Sequence, residues 1–97
     1  MNLGKKIKAV RIAEEMNQDE MANLLDIPVG TLRNCEQGRN ELKSETLTRI
    51  TGNLRFEKYA FWLMTGKVLP ESGQICPDFS IQERCGIISK MQMAKRA

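Results

Sequence analysis

Apolar residues recur along the chain with the period of an α-helix, whereas the alternation typical of β-strands is scarce. In residues 2–16, Leu3, Ile7 and Val10 stand at i, i+4 and i+7 and form one apolar stripe. This periodicity predicts an all-α protein. The predicted helices before Gly66 cover about residues 2–16, 18–25, 28–37, 44–54 and 56–65.

Residues with strong capping preferences mark where several of these helices begin and end. Asn17 is a candidate N-cap, and Glu20 three residues later completes the spacing of a capping box. Pro28 suits the first turn of the third helix, and Gly38 is its candidate C-cap. Ser44 is the candidate N-cap of the fourth helix.

Residues 67–97 form an extension whose first part contains two prolines and a glycine, which oppose regular structure. Apolar residues at helical spacing then predict a sixth helix over residues 80–96, with Ser80 and Glu83 as a second capping box. Three roles for this helix stay open. It packs back on its own domain, forms a dimer contact, or provides a basic end that contacts DNA or is disordered.

The composition is that of one small globular domain, with 97 residues, 41% hydrophobic and 28% charged. The sequence contains no His, which excludes His-based metal sites and His-dependent acid–base chemistry. It also lacks a Gly-rich phosphate loop and a nucleophile motif. We therefore expect neither an enzyme nor a bound cofactor or metal.

The cysteines and the N-terminus indicate where the protein acts. Cys35, Cys76 and Cys85 are scattered without a CxxC pair, which favours a reducing compartment over a disulfide framework. Nothing requires Cys76 and Cys85 to pair. No apolar run reaches the ~18 residues of a membrane helix, and lysines interrupt any signal-peptide core. We expect a cytoplasmic protein without a membrane partner.

The net charge of +3 is unevenly distributed along the chain. Residues 1–49 carry eight basic and eight acidic side chains, whereas residues 50–97 carry seven and four. This excess is only a weak indication of a polyanionic partner. Lys5, Lys6 and Lys8 lie off the apolar stripe of the first helix, so we expect them on a solvated face.

Residues 18–38 combine a helix of about two turns, a tight turn and a second helix, which is the helix-turn-helix layout. Two closely crossing helices need a small residue at the contact, and Ala22 supplies it. Apolar side chains are placed to hold the crossing angle; they are Leu25, Ile27, Leu32 and Cys35. The second helix then presents a polar face formed by Thr31, Arg33, Asn34 and Gln37.

The chain here resembles the phage repressor/Cro-type helix-turn-helix regulators, also called the XRE family. The resemblance covers residues 3–66 and includes RIAEEMNQDEMANLLDIPVGTLRNCEQGRNELKSETLTRI and the later WLMTG. The positions that match in combination are Arg11, Gln18, Ala22, Leu32, Glu36, Gly38 and Leu47. The resemblance implies a five-helix, lambda repressor-type DNA-binding domain over residues 1–66, with residues 67–97 as a C-terminal extension. It also implies a phage or prophage origin.

The resemblance also assigns roles to individual positions. The candidates for contact with DNA bases are Val29, Gly30, Thr31, Arg33 and Asn34. The candidates for contact with the DNA backbone are Gln18, Gln37, Arg39 and Lys43. Arg11 and Glu36 match a semi-buried ion pair that ties the first helix to the end of the third.

Two departures from the family pattern bear on these roles. Asp26 occupies the turn position that is usually Gly, and Asp tolerates left-handed backbone better than most residues. Val29 and Gly30 replace polar base-reading residues. Val29 is able to touch a thymine methyl, and Gly30 lets the backbone approach the DNA. We therefore expect recognition to rely partly on DNA shape.

The resemblance implies a sequence-specific transcriptional regulator, expected to be a repressor. It would bind a near-palindromic operator in double-stranded DNA as a homodimer, with the third helix in the major groove. The alternative is an antitoxin of a toxin–antitoxin pair, which binds a partner protein and represses its own operon. Both functions use the same domain, so the sequence leaves a protein partner open.

Overall fold

The computed structural model describes residues 3–39 and 42–88 of the chain. These ranges contain no β-strand, which confirms the all-α prediction. Their α-helices are α1 Leu3–Ala13, α2 Gln18–Leu25, α3 Val29–Gln37, α4 Ser44–Thr51, α5 Ala60–Thr65 and α6 Phe79–Arg84. Single 3-10 turns lie at Glu57–Tyr59 and Pro70–Ser72.

The predicted caps of α2 and α3 are present. The Asn17 side chain accepts a hydrogen bond from the Glu20 backbone N–H at 2.8 Å. The Glu20 carboxylate accepts one in return from the Asn17 backbone N–H at 3.0 Å. Gly38 ends α3 in the left-handed conformation, with φ 71°, where a side chain would cost energy.

Other helix ends differ from the prediction. α1 stops at Ala13 rather than residue 16, and Glu15 then adopts φ 57°. α4 begins with Lys43 as its N-cap, so Ser44 is already inside the helix. The helix ends at Thr51, and the side chain of Asn53 accepts a hydrogen bond from Arg55 N–H in the following turn. This turn carries Leu54 out of the predicted apolar stripe and leaves it 86% exposed.

One core joins the helices. α1 lies at its centre and packs against α3, α5 and α6. The largest side chains without exposed surface belong to Ile7, Met21, Leu32, Ile50 and Phe56. Burial of such side chains contributes about 1.5–3 kcal/mol each before the entropy cost of ordering. Phe56, Tyr59 and Trp62 are also buried in this core. A 3-10 turn precedes α5 in place of the one continuous helix predicted over residues 56–65.

The expectation that Lys6 lies on a solvated face of α1 was wrong. Its side chain is buried, with the residue only 4% exposed. The Nζ donates to the backbone carbonyls of Trp62 and Leu63 at 3.1 and 3.0 Å, at the end of α5. The Trp62 carbonyl also accepts from the Gly66 backbone N–H at 2.8 Å, so the ammonium adds a second donor there and places a positive charge at the C-terminal end of α5, where the helix dipole favours it. Burial lowers the pKa of Lys6.

The described part of the extension packs on the same core. Cys85 is buried in it, and the buried side chain of Gln82 donates to the Pro77 carbonyl at 2.7 Å. The prediction of a helix over residues 80–96 is confirmed at residues 80–84 and wrong at residues 85–88. α6 begins at Phe79, has no side-chain cap, and ends at Arg84 before a turn that contains Gly86. Residues 89–96 of the predicted helix lie outside the described residues. Among the described residues, Cys35, Cys76 and Cys85 form no disulfide bond.

Candidate nucleic-acid interface

The turn between α2 and α3 is built by one left-handed residue. Asp26 adopts φ 56° and ψ 48°, and its backbone N–H closes the end of α2. The next N–H, of Ile27, donates to the Ala22 carbonyl at 3.0 Å. Asp therefore performs the turn that usually contains Gly, as the sequence predicts. Ala22 and Leu25 are buried at the helix crossing, where their small and apolar side chains were expected.

α3 has one face in the core and one in solvent. Leu32, Cys35 and Glu36 are buried. The opposite face exposes Gly30, Arg33 and Gln37, and the candidates between these two faces are half-buried, namely Val29, Thr31 and Asn34. Burial and then the neighbouring Glu36 charge raise the pKa of the Cys35 thiol, so this cysteine is a protonated core residue.

An ion pair joins α1 to the buried side of α3. Arg11 Nε and Nη2 donate to the two carboxylate oxygens of Glu36 at 2.8 and 3.1 Å. Arg11 Nη1 also donates to the Met16 carbonyl at 2.9 Å. The side chains of Arg11 and Glu36 are 13% and 2% exposed. This bidentate geometry holds the C-terminal half of α3 against α1.

Gln18 connects the ion pair to the exposed face of α3. Its Nε2 donates to Glu36 Oε1 at 3.2 Å, and its Oε1 accepts from Arg33 Nε at 3.3 Å. A chain of polar contacts therefore runs from the interior to an exposed guanidinium on α3. A guanidinium carries further N–H groups besides Nε, and these can donate to an acceptor such as a phosphate or a guanine edge.

The candidate backbone contacts separate into two places. Gln18 and Gln37 line one surface depression together with Lys8 and Asn17. Arg39 follows the end of α3, and Lys43 precedes α4; both are exposed and lie outside the lining of this depression. Lys8 is exposed, as expected, and it lines the same depression as these two candidate contacts.

Comparison with known proteins identifies the family. No protein-family model matches the chain. The chain is 35% identical over 75 residues to Repressor protein C of Escherichia phage P2, an alignment that covers 77% of this chain and 76% of the phage protein. The chain belongs to the phage repressor family of Cro/cI-type helix-turn-helix proteins. The resemblance noted in the sequence is thereby confirmed.

In this member of the phage repressor family, two further polar clusters were not found from the sequence. Arg49 on α4 donates to carbonyls of the turn between α2 and α3. Glu14, at the end of α1, accepts hydrogen bonds from Arg55 and Tyr59 and pairs with Lys58. The i, i+4 spacing of Glu45 and Arg49 was the available local signal, because such pairs meet on one helix face. This spacing gives no sign that Arg49 also binds the turn between α2 and α3.

The electrostatics of the Glu14 cluster are those of a partly buried carboxylate with several donors. Burial by itself would raise the pKa of Glu14. The hydrogen bonds from Tyr59, Lys58 and Arg55 outweigh burial and lower the pKa below its ordinary value of 4.5. Burial and the bond to Glu14 raise the pKa of Tyr59. The cluster ties the end of α1 to the 3-10 turn before α5, away from the exposed face of α3.

The described residues were also inspected for other kinds of site. None of their helices combines the length and apolar character needed to cross a membrane. No group of three His, Cys, Asp or Glu side chains in the same ranges is arranged to hold a metal ion. The exposed face of α3 and its surroundings therefore remain the candidate functional surface.

Proposed function

We propose that this protein is a transcriptional repressor that binds double-stranded operator DNA with α3 in the major groove. The observation that carries the proposal is the polar outer face of α3, mounted on a buried inner face that Glu36 ties to α1. The chain that carries this polar face is similar to a protein named Repressor protein C. Residues 1–66 would form the DNA-binding domain and residues 67–97 an extension.

Gly30 supports this role because the fold does not require a glycine there. A Cβ added at Gly30 would meet no atom within 4 Å, and the residue lies inside a helix, where Gly is unfavourable by about 0.5–1 kcal/mol relative to Ala. Close approach of DNA accounts for the absence of a side chain at this exposed position. The half-buried Val29 beside it then offers an apolar contact for a thymine methyl.

Asn34 and Arg33 are the proposed polar readers on α3, with Thr31 beside them. An asparagine amide bonds an adenine edge in bidentate fashion, and such a pair contributes about 1–3 kcal/mol of discrimination between bases. Arg33, held by Gln18, reaches a guanine edge or a phosphate. With so few polar readers, sequence-dependent DNA shape supplies part of the specificity.

The proposed contacts with the DNA backbone come from Gln18, Gln37, Arg39 and Lys43. They would fix the register of α3 in the groove without reading sequence. Two subunits would place their α3 helices about 34–36 Å apart, one turn of DNA, on a near-palindromic site. The protein would act in the cytoplasm, where its operator is located.

Selection of bound sites from a pool of random duplex DNA tests the proposal. The expected result is a two-fold symmetric consensus whose half-sites are separated by one helical turn. Asn34→Ala should then lose affinity for the consensus and keep its affinity for scrambled duplex. The matched control is Asn23→Ala, an exposed asparagine on α2. If no sequence is enriched, the proposal is contradicted. If Asn34→Ala loses equal affinity on both duplexes, the role of Asn34 as a base reader is contradicted.

A further inference from the structure

Arg49 connects α4 to the turn of the helix-turn-helix segment. Its Nη1 donates to the Leu25 carbonyl at 3.1 Å and to the Asp26 carbonyl at 2.9 Å. Its Nη2 donates to the Glu45 carboxylate one turn earlier on α4, at 3.1 Å. The Asp26 carboxylate also lies 3.8 Å from Nη1. One side chain thus links α4 to two backbone carbonyls and a carboxylate at the turn between α2 and α3.

The two carbonyls lie where backbone geometry decides the direction of α3. Carbonyls at the end of a helix lack partners within it, and Arg49 supplies donors to both. Asp26 is the left-handed residue of the turn, and the N-cap of α3, Pro28, has no side-chain cap bond. The planar guanidinium is a rigid donor with strongly directional bonds, so it restricts both carbonyls at once.

We propose that Arg49 is a positioning residue for DNA recognition. By fixing the turn against α4, it sets the place at which the N-terminal end of α3, with Val29 and Gly30, enters the major groove. The inference rests on the proposed function. Hydrogen bonds to base edges weaken steeply with misalignment, whereas attraction to phosphates tolerates it. Loss of Arg49 therefore reduces sequence discrimination more than general DNA affinity.

Arg55 provides a control that separates positioning from stability. Like Arg49, it bonds both a carboxylate and the backbone, through contacts of 3.0 Å to Glu14 Oε1 and 3.0 Å to the Glu14 carbonyl, but it has one carbonyl partner where Arg49 has two. The two side chains are similarly accessible, 39% exposed for Arg49 and 50% for Arg55. Arg55, however, joins the end of α1 to the segment before α5 and does not touch the turn.

The experiment compares Arg49→Met with Arg55→Met in the full chain. Affinity is measured for the selected consensus duplex and for a scrambled duplex of the same composition, at a temperature where each variant is folded by circular dichroism. Arg49→Met should lower the ratio of the two affinities about tenfold, the effect of one misplaced base contact. Arg55→Met should leave the ratio unchanged. The same loss of ratio in both variants, or no loss in Arg49→Met, overturns the inference.

A second pair of variants covers the case in which a methionine variant fails to fold. Arg49→Lys keeps the charge but cannot present the planar guanidinium to two carbonyls, so it should still lose part of the ratio, whereas Arg55→Lys should not. Full retention of the ratio in Arg49→Lys overturns the inference. If the unmodified protein prefers no duplex at all, the proposed function itself fails. A preserved wild-type preference with an unaffected Arg49 variant refutes only the positioning role.

Discussion

Removing the guanidinium of Arg11 should cost this protein much of its stability. In Arg11→Met, the Glu36 carboxylate stays buried and keeps one neutral donor, Gln18 Nε2 at 3.2 Å. Breaking one side of a buried ion pair costs about 3–5 kcal/mol, because the remaining charge is uncompensated. The lost bond to the Met16 carbonyl, which is only part-buried, adds at most about 1 kcal/mol.

This cost is large on the scale of a small domain. Total free energies of unfolding are about 5–15 kcal/mol, so Arg11→Met removes a substantial share. Each kcal/mol shifts the melting temperature of a chain of this size by about 4–8 °C. A loss of about 4 kcal/mol therefore corresponds to a melting temperature lower by roughly 15–30 °C.

Urea unfolding followed by tryptophan fluorescence measures the effect. Trp62 is the single tryptophan and is 2% exposed, so its emission reports the loss of the core. The double variant Arg11→Met/Glu36→Leu removes both charges, and we expect it to be at least about 2 kcal/mol more stable than Arg11→Met alone. A cost below about 1.5 kcal/mol in Arg11→Met, or a double variant as unstable as the sum of the singles, would refute this reasoning.

Three further outcomes are expected. Gly30→Ala should raise the free energy of unfolding, measured in urea, by about 0.5–1 kcal/mol. The same variant should bind the consensus duplex more weakly in band shifts, and unchanged binding would contradict a close approach of DNA at Gly30. Glu14→Gln should be less stable at neutral pH and lose less stability on acidification. The lowered carboxyl pKa stabilises the wild-type fold above pH 4.5, and that stability disappears as pH falls through the folded-state value. Parallel pH curves in thermal melts would contradict this assignment. Arg39→Gln and Lys43→Gln should each reduce the log–log salt slope of binding by about 0.9 per subunit, or about 1.8 for a bound homodimer. Lys67→Gln, at a residue that is not among the proposed contacts, should leave the slope unchanged; equal slopes in all three variants argue against phosphate contact.

The helices and the turn of the candidate site could be predicted because their signals act over a few residues. The bonds of the Asn17 capping box span three residues, and Gly38 ends α3 through its own backbone conformation. Asp26 adopts the left-handed conformation that its residue type tolerates. The periodic apolar residues also identified which face of α3 is buried, since a helix repeats every 3.6 residues regardless of its partner.

The end of the predicted sixth helix shows where this reasoning fails. Ile81, Cys85 and Ile88 keep helical spacing, yet the helix ends at Arg84 and Gly86 adopts a left-handed φ of 76°. Cys85 is nevertheless buried in the core. A turn can therefore bury an apolar side chain as well as a helix can. Periodicity reports burial, and over such a short stretch burial does not specify backbone conformation.

The amino-acid sequence alone determined the helical class, the helix-turn-helix segment and the polar face that α3 presents, because periodicity, caps and turn residues act locally. Only the tertiary structure decided which charged residues leave solvent and what they hold. Lys6 contacts carbonyls 56 and 57 residues away, and Arg49 contacts carbonyls 23 and 24 residues away. Their side chains look like ordinary surface charges in the sequence. Their partners are backbone groups, which every residue carries, so packing selects the partner and residue type does not.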